Sequence, residues 1–586
     1  MLNQNKSKKI FLLYSLLAFG FLIFLSVMLL TVLKNRQLPS LYTKNSSKAQ
    51  RGNIISADGF HLATTKKLYK AVVNTYYIDP QKKELFIELF SIYTGIKSSD
   101  IKKKLQKRKG AVVLSYHIPE VQAQYLKQLA YELRKKKVFI ERKNSRTGHR
   151  TLQGLSIIES GESREYPYNY LLTPVIGYTH KVEEDGYTQV RGVKGLEKRF
   201  GGELEARQNE VSQGQRDVNN YIILNKNSFT KANINGLDIK LTIPVGLQIK
   251  IEKMLDIMKK KLDAKEIMIA IMNSDNAKII TLASSNRFLP KAIKKSDYPY
   301  LNSGMVEYSF EPGSVIKTIV FSLLLDKGLI NPYDLVNGHN GKFKISNKII
   351  TDEHKFDWLS AENVIVHSSN IGIAQLAQKL SGIEFHEGLK KFGFSKKSTN
   401  DLIYENKGSI PSTRKLNKKI YKATCSYGYG IKTNLMQLIR AYSAFSNNGK
   451  IIYPRIVESF IDQFDREITL PQSKQNKAIK SSTAQRVKKI LIKAVNEGTG
   501  KKAVTPGLII GGKTGTAQIA QKGKYVKKYH TSFVGFVNDE KNNYTMGVVV
   551  IKPRNNHFAS QTAVVTFKKA VDIMIEEGYL KPKIVK

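Results

Sequence analysis

The sequence predicts an α+β protein whose C-terminal half is an antiparallel sheet flanked by helices, set behind a hydrophobic N-terminal helix and a mixed α+β segment. Three observations carry this. Apolar runs near 267–283 and 531–551 fold back on themselves around polar turns, long apolar helical stretches lie between them, and a charge-free run lies near the N-terminus. Strands at both ends of a region with helices between them suit one sheet covered by helices.

Residues 10–33 form 24 consecutive positions without a charge. A helix needs about 20 such residues to cross a bilayer core. Lys6, Lys8 and Lys9 precede the run, and the positive-inside rule then keeps residues 1–9 in the cytoplasm. Lys34 and Arg36 follow it and pull the other way. A cleaved signal peptide has a shorter apolar stretch ending in small residues. Here the run ends in Val32-Leu33-Lys34, so an uncleaved anchor is the better reading. No second comparable run follows, which places the remaining chain beyond the membrane as folded domains.

Residues 34–235 mix short strand patterns with helical ones. Lys70-Ala71-Val72-Val73 reads as strand and residues 119–133 as helix. Arg51-Gly52-Asn53-Ile54-Ile55, then Asp58-Gly59, reads as a strand entering a turn. Gly195-Leu196-Glu197 followed by Gly201-Gly202 reads as another close-packed turn. No catalytic constellation occurs in this stretch.

The character changes at Gly236. Residues 238–243 alternate as a strand, and 244–261 carry apolar residues on a face of helical period. Residues 267–272 and 277–283, around Asn273-Ser274-Asp275-Asn276, predict a hairpin. Residues 531–537 and 544–551 predict a second one, and 562–575 a closing helix.

The chain holds 95 Lys plus Arg against 48 Asp plus Glu, a formal charge of +47. Such a charge raises the question of a nucleic-acid partner. The lysines are spread along the chain, the densest runs (Lys102-Lys103-Lys104 and Lys135-Lys136-Lys137) are short, and no zinc-finger spacing or RNA-binding aromatic pattern appears. A basic surface facing an anionic membrane or an acidic polymer fits better, and no nucleic acid is expected. A single cysteine, Cys425, allows neither an internal disulfide nor a cysteine zinc site. Ten histidines form no zinc-type cluster, so neither metal nor cofactor is expected, and His367 reads as structural.

The chemistry concentrates in three places. In Glu311-Pro312-Gly313-Ser314-Val315-Ile316-Lys317, Pro312 and Gly313 interrupt the chain before a buried helix over 315–325, which Gly328 stops. Ser314 and Lys317 are then neighbours on one face. A lysine in the first turn of a buried helix is opposed by the helix dipole and by desolvation, and both lower its pKa. Such an amine can take a proton from a serine hydroxyl. A serine and a lysine three apart carry little weight alone, because the lysine can snorkel to the surface. However, Ser368-Ser369-Asn370 precedes a second apolar helix, and Lys513-Thr514-Gly515-Thr516 follows the strand-like Leu508-Ile509-Ile510-Gly511-Gly512. The set S-x-x-K, S-x-N, K-T-G, in that order and each in its required context, is a known acyl-transfer signature. Ser314 would attack an acyl carbon, Lys317 take its proton, and Ser368 relay a proton to the leaving amine. Asn370 would hold the substrate amide. Lys513, Thr514 and Thr516 would hold a substrate carboxylate, with Gly515 letting the strand lie close. The backbone N–H groups of Ser314 and Thr516 are the expected oxyanion donors.

These motifs resemble the class B penicillin-binding proteins over nearly the whole chain. Arg51-Gly52 through Asp58-Gly59 and Leu62-Ala63, Arg164-Glu165-Tyr166-Pro167 with Ile176-Gly177-Tyr178, and Gly195-Leu196-Glu197 look like that family's pedestal. Gly236-Leu237-Asp238-Ile239 with Leu241-Thr242-Ile243 and Gln248 looks like the entry to its transpeptidase domain. The resemblance implies a cytoplasmic tail at 1–9, an anchor at 10–33, a dimerisation and partner-binding pedestal at 34–235 and a transpeptidase domain at 236–586. Within the class, Ser368-Ser369-Asn370-Ile371-Gly372, Phe392-Gly393-Phe394, Tyr427-Gly428-Tyr429-Gly430 with Thr433 and Gln437, Ala441-Tyr442 and Asn447-Asn448-Gly449 are most similar to the FtsI-type division enzyme. Tyr404-Glu405-Asn406-Lys407-Gly408 matches the family's acidic-Gly pair loosely, so the substrate channel is expected to differ there. No transglycosylase motif precedes the pedestal, which argues against a bifunctional enzyme.

The resemblance implies a peptidoglycan D,D-transpeptidase of the inner membrane, with its catalytic domain in the periplasm. It would cross-link D-Ala-D-Ala stem peptides in septal wall synthesis and be acylated by β-lactams at Ser314. Its partners would be an FtsW-like glycosyltransferase and other division proteins. The alternatives are an elongation-type enzyme of the same class, a serine carboxypeptidase or β-lactamase, and a non-catalytic penicillin-binding sensor. The hydrolases lack support, because no Glu-x-x-x-Asn pattern follows Asn370 to activate water.

Overall fold

The computed structural model describes residues 2–33, 42–107, 109–143, 150–184, 186–215, 222–521 and 524–584. The chain divides into two units, Met1–Ala49 with Gln208–Ile234, and Gln50–Arg207 with Asn235–Lys586.

In the first unit the anchor sequence forms one helix, Leu2–Leu33. Its Lys6–Leu33 stretch is the one helix among the described residues long and apolar enough to cross a membrane. Its apolar side chains are exposed, as expected of a helix whose solvent is lipid. Lys34 and Arg36 lie outside the described residues. The unit also contains a three-stranded antiparallel sheet of Tyr42–Ser47, Glu210–Gln215 and Phe229–Lys231, with Ser46 opposite Val211 and Ser212 opposite Thr230.

The second unit contains a nine-stranded sheet built from distant parts of the sequence. In order it runs Glu467–Thr469, Val457–Ile461, Asp238–Leu241, Ile54–Ile55, His61–Asn74, Leu155–Glu165, Tyr187–Gly192 and Thr179–Glu184, with Ala111–Pro119 also pairing His61–Asn74. Asp238–Leu241 runs parallel to Ile54–Ile55 and antiparallel to Val457–Ile461. Helices Lys83–Thr94, Ser98–Lys107 and Glu120–Lys135 pack on His61–Asn74 and Ala111–Pro119 through Phe86, Phe90, Leu126 and Val73.

The pedestal-like motifs converge on one buried ion cluster. Glu197 accepts from Arg51 (Nη2 to Oε2, 2.9 Å) and from Arg164 (Nε to Oε1, 2.7 Å). Arg164 also donates to Gly52 O and Thr65 Oγ1, each at 2.7 Å. Burial raises the Glu197 carboxyl, but Arg164 and then Arg51 more than reverse this and hold it below its ordinary value. Gly52 is required by close approach, since a Cβ there would fall 2.0 Å from Leu237 O. The sequence expectation at Gly195 to Gly202 holds in part. Gly195 sits at φ +61° against Val175 O, whereas Gly201 and Gly202 open a short helix, Gly201–Leu204, with no neighbour within 4 Å of an added Cβ.

The C-terminal sheet has five antiparallel strands. These are β1 (Glu266–Asn273), β2 (Ile279–Ser284), β3 (Ile509–Gln521), β4 (Lys524–Asn538) and β5 (Asn543–Ile551), arranged β2-β1-β5-β4-β3. Both hairpins expected from the sequence are present, and β1 joins them by pairing with β5, Ala270 opposite Gly547. Helices α1 (Val245–Leu262) and α4 (Ala563–Glu576) cover one face through Leu255, Met258, Phe567 and Val571. The Phe533 and Phe567 rings meet edge to face with centroids 4.8 Å apart. The opposite face packs on a helical layer that includes α2 (Ile316–Asp326) and α3 (Asn370–Leu376). This layer positions the site along β3, the outer strand.

Candidate active site

Ser314 lies in a 3-10 turn, Gly313–Val315, that feeds directly into α2. Gly313 makes the turn possible with φ +61°. Residues Ile316 to Leu325 of α2 are all buried, as the unbroken apolar run predicts. Tyr442 ties down its opening, donating its hydroxyl to Val315 O at 2.6 Å. Ser314 itself is half-buried.

Lys317 is fully buried one turn on. Its Nζ donates to Ser368 O at 2.5 Å and to Ser368 Oγ at 3.3 Å. Burial pulls the amine down to about 7, against the opposing carboxylates of Asp352 and Glu353. Ser368 adopts a left-handed backbone, φ +59°, in the turn before α3. Such strain in a serine needs a surrounding structure that enforces it.

Ser368 N–H donates to Ile365 O at 3.2 Å, and the residues that follow are held by Asp352, which sequence reasoning missed. Asp352 follows the hairpin of Lys342–Ile345 and Lys348–Thr351. Its Oδ1 accepts from the Asn370 and Ile371 N–H groups at 2.5 and 3.1 Å, and its Oδ2 from Ser369 Oγ at 2.5 Å. Ser369 in turn caps α3, accepting from Gly372 N at 2.8 Å. Asn370 donates its amide to Thr351 O at 3.0 Å. No motif marks Asp352 in the sequence; the only available signal was an acid placed before a helix start lacking one.

Lys513, Thr514, Gly515 and Thr516 lie on β3, paired with residues 531–534 of β4. Lys513 is fully buried, and its Nζ donates to Thr514 O and Oγ1, each at 3.3 Å. Burial, and then the Lys317 charge, lower it well below its ordinary value. Two amines in one dry pocket cannot both hold protons freely. Thr514 Oγ1 and Thr499 Oγ1 share a hydrogen bond of 2.6 Å. Gly515 lets β3 press on the serine turn, since a Cβ there would meet Pro312 O at 2.8 Å and Ser532 Oγ at 2.5 Å. Residues 312–317, 368–370 and 513–516 therefore come together at one place, from three separated parts of the chain.

Two clefts flank them. One, of about 370 Å³, is lined by Thr514, Thr516, Thr499, His367, Lys501 and Ser560. His367, one of its lining residues, packs on Phe356 with ring centroids 5.3 Å apart. The other, of about 410 Å³, is lined by Asn370, Thr351, Tyr427, Tyr429, Gln518 and Tyr525. Glu311 braces this second cleft, accepting from Gly430 N at 2.7 Å and from Tyr525 OH at 3.3 Å. Burial raises the Glu311 carboxyl. Glu405, in the loosely matched stretch, turns inward and accepts from Ser398 N, Ser398 Oγ and Asn434 Nδ2. It braces the loop without contacting the motif residues. Cys425 is buried, its thiol pushed up to about 12 by desolvation and then by Glu311, which leaves it unreactive.

A serine at the head of a buried helix, a buried amine of lowered pKa one turn on and a glycine strand along it define the penicillin-interacting serine acyltransferases as a class. The family model for the penicillin binding protein transpeptidase domain matches residues 267–572, more than half of the chain, and that for the penicillin-binding protein dimerisation domain matches 46–241. The chain belongs to the penicillin-binding protein transpeptidase family. It is 24% identical over 601 residues to the peptidoglycan D,D-transpeptidase FtsI of Buchnera aphidicola subsp. Baizongia pistaciae, covering 99% of this chain and 97% of that one. It is 27% identical over 417 residues to the probable peptidoglycan D,D-transpeptidase PenA of Neisseria meningitidis serogroup A, covering 70% and 68%. In fold it matches penicillin binding protein 2X from Streptococcus thermophilus with a TM-score of 0.73 at 21% identity, over 93% of this chain and 83% of that one.

Proposed function

We propose that this protein cross-links peptidoglycan as a D,D-transpeptidase, and that it does so in septal wall synthesis. The observation that carries the reading is the buried Lys317 amine, held on Ser368 one turn from Ser314 and lowered to about 7. Ser314 Oγ passes its proton to Lys317 Nζ and bonds to the carbonyl carbon of the penultimate D-Ala. The backbone N–H groups of Ser314 and Thr516 receive the oxyanion. The C–N bond to the terminal D-Ala breaks, and Ser368 relays the proton to the departing amine. An amine of a neighbouring stem peptide then attacks the ester carbonyl, the new C–N bond forms as the acyl C–O bond to Ser314 breaks, and the amine's proton returns to Ser314 Oγ. Asn370 holds the donor amide. Thr514 and Thr516 hold the donor carboxylate, and its arrival favours the charged form of Lys513.

The same reading assigns residues 10–33 to a single membrane crossing with 1–9 in the cytoplasm, 34–235 to the pedestal and 236–586 to the periplasmic catalytic domain. An FtsW-like glycosyltransferase and other division proteins would be met through the first two. The septal assignment rests on the relatives named FtsI, matched over most of their length.

Labelled penicillin followed by peptide mapping tests the chemistry. Label on Ser314 is expected, and label elsewhere or none refutes it. Imaging of a depleted strain tests the role: long filaments are expected, and rounded cells would assign the enzyme to elongation.

A further inference from the structure

A third cleft, of about 670 Å³, opens at the end of the C-terminal sheet where β4 begins and β5 ends. Five cations line it: Lys265, Lys527, Lys528, Lys552 and Arg554. Asp263 is the one carboxylate in its lining, and it pairs with Arg554 at 3.4 Å. None of the four lysines forms an ion pair among the described residues. Lys552 is half-buried in a left-handed backbone, φ +51°, with its N–H donating to Tyr529 O at 3.0 Å. That conformation is unfavourable for a lysine, and the ring of Pro553 stiffens the next link of the chain. Partial burial, then Lys265 and Lys528, hold the Lys552 amine below its ordinary value. Five cations therefore share one carboxylate, which pairs with Arg554 and leaves the four lysines crowding one another, as in a site completed by a multiply charged anion.

Its position narrows what that anion is. On β4, Tyr529 lies opposite Gln518, two residues along β3 from Thr516. Two strand residues span about 7 Å, a distance covered by two or three units of an extended peptide. His557 lines the basic cleft and stacks on Tyr529 with centroids 4.9 Å apart, while Phe558, Ala559 and Ser560 line the cleft of Thr514 and Thr516. One short segment thus forms a wall of both.

We propose that the basic cleft is a subsite for the acceptor strand, holding the carboxylates of the stem peptide whose amine receives the acyl group. This rests on the transpeptidase reading above, since only a transferase has a second peptide to hold. The test uses the full chain in detergent and the exposed-residue variant Lys265→Glu/Lys527→Glu/Lys528→Glu. The probes are an uncross-linked disaccharide-peptide with free carboxylates and the same fragment with its carboxylates amidated.

In the variant, binding of the acid fragment should fall by about tenfold or more, from reversal of three charges. The amidated fragment should bind both proteins weakly. The acceptor KM should rise while donor hydrolysis holds, and Lys265→Gln/Lys527→Gln/Lys528→Gln should give an intermediate loss. Penicillin labelling of Ser314 should stay unchanged, which separates failure of this inference from failure of the transpeptidase reading. Undiminished binding in the variant, equal binding of the amidated fragment, or tighter binding of anionic phospholipid vesicles or polyphosphate than of the fragment would each overturn it.

Discussion

Lys317 shows how much chemistry one buried side chain acquires from its surroundings. Exposed, its amine would stay protonated to about pH 10; in this pocket burial brings it to about 7. A base must be neutral to accept a proton, so penicillin acylation should rise about tenfold per pH unit below that value and level off above it. Stopped-flow labelling across pH 5.5–9 would check this, and a plateau reached only near 10 would place the base elsewhere. Replacing the amine in Lys317→Met should slow acylation by about 10²–10⁴-fold, with the fold kept because the substitute is apolar and of similar length. The motif residues were legible because their spacing is set by local geometry: one helical turn from Ser314 to Lys317, and a glycine where β3 meets the serine turn. Asp352 and Glu311 were not legible as parts of the site. Asp352 acts through a contact that only the folded chain creates, and Glu311 through the loop of Gly430.

At the level of elements, caps and ion clusters hold the motif-bearing pieces in place. Asp352→Ala removes the acceptor for two N–H groups opening α3 and should cost about 1–2 kcal/mol. Acylation should fall by more than that stability loss explains, and Asp352→Asn should recover part of it; equal acylation in wild type and Asp352→Ala would confine the residue to a structural cap. In the Arg51–Glu197–Arg164 cluster, Glu197→Gln leaves two buried guanidinium groups short of charge and should cost about 3–5 kcal/mol by thermal melting. The sign of its pH dependence follows from the lowered Glu197 carboxyl. Its contribution is complete above the unfolded carboxylate range, about 4.3, and is lost as pH falls through the lower folded value. Wild type and Glu197→Gln should therefore differ most near neutrality and converge only in strong acid. The sequence displayed the three pieces of this cluster as separate short motifs. Their convergence could not be read, because periodicity reports a residue's neighbours in sequence and not its partners across the fold. The Gly201-Gly202 misreading has the same origin: a glycine pair marks a turn or a helix start alike until the space around it is known.

For the whole molecule, charge and apolarity make different predictions about membrane attachment. A net charge of +47 would bind an anionic surface in a way that salt releases. The helix Lys6–Leu33 would instead hold the protein against salt and alkaline carbonate and release it only in detergent. Fractionation distinguishes the two, with retention in the membrane pellet after high salt expected. Architecture at this scale was partly legible: both C-terminal hairpins, α1 and the closing helix were readable from period and turn chemistry. The nine-stranded sheet was not, because two of its strands come from residues 457–469, far along the chain from those they join.

That sheet also bears on how the protein is made. Asp238–Leu241 leaves the ribosome with one partner already available and the other, Val457–Ile461, still untranslated. At about 5–20 residues per second the wait is on the order of tens of seconds. Throughout it a row of backbone donors and acceptors stands open, an invitation to pair with the wrong chain. Nascent copies of this protein should depend on a holding chaperone during that interval, and truncation before residue 457 should give aggregates rather than a smaller folded protein.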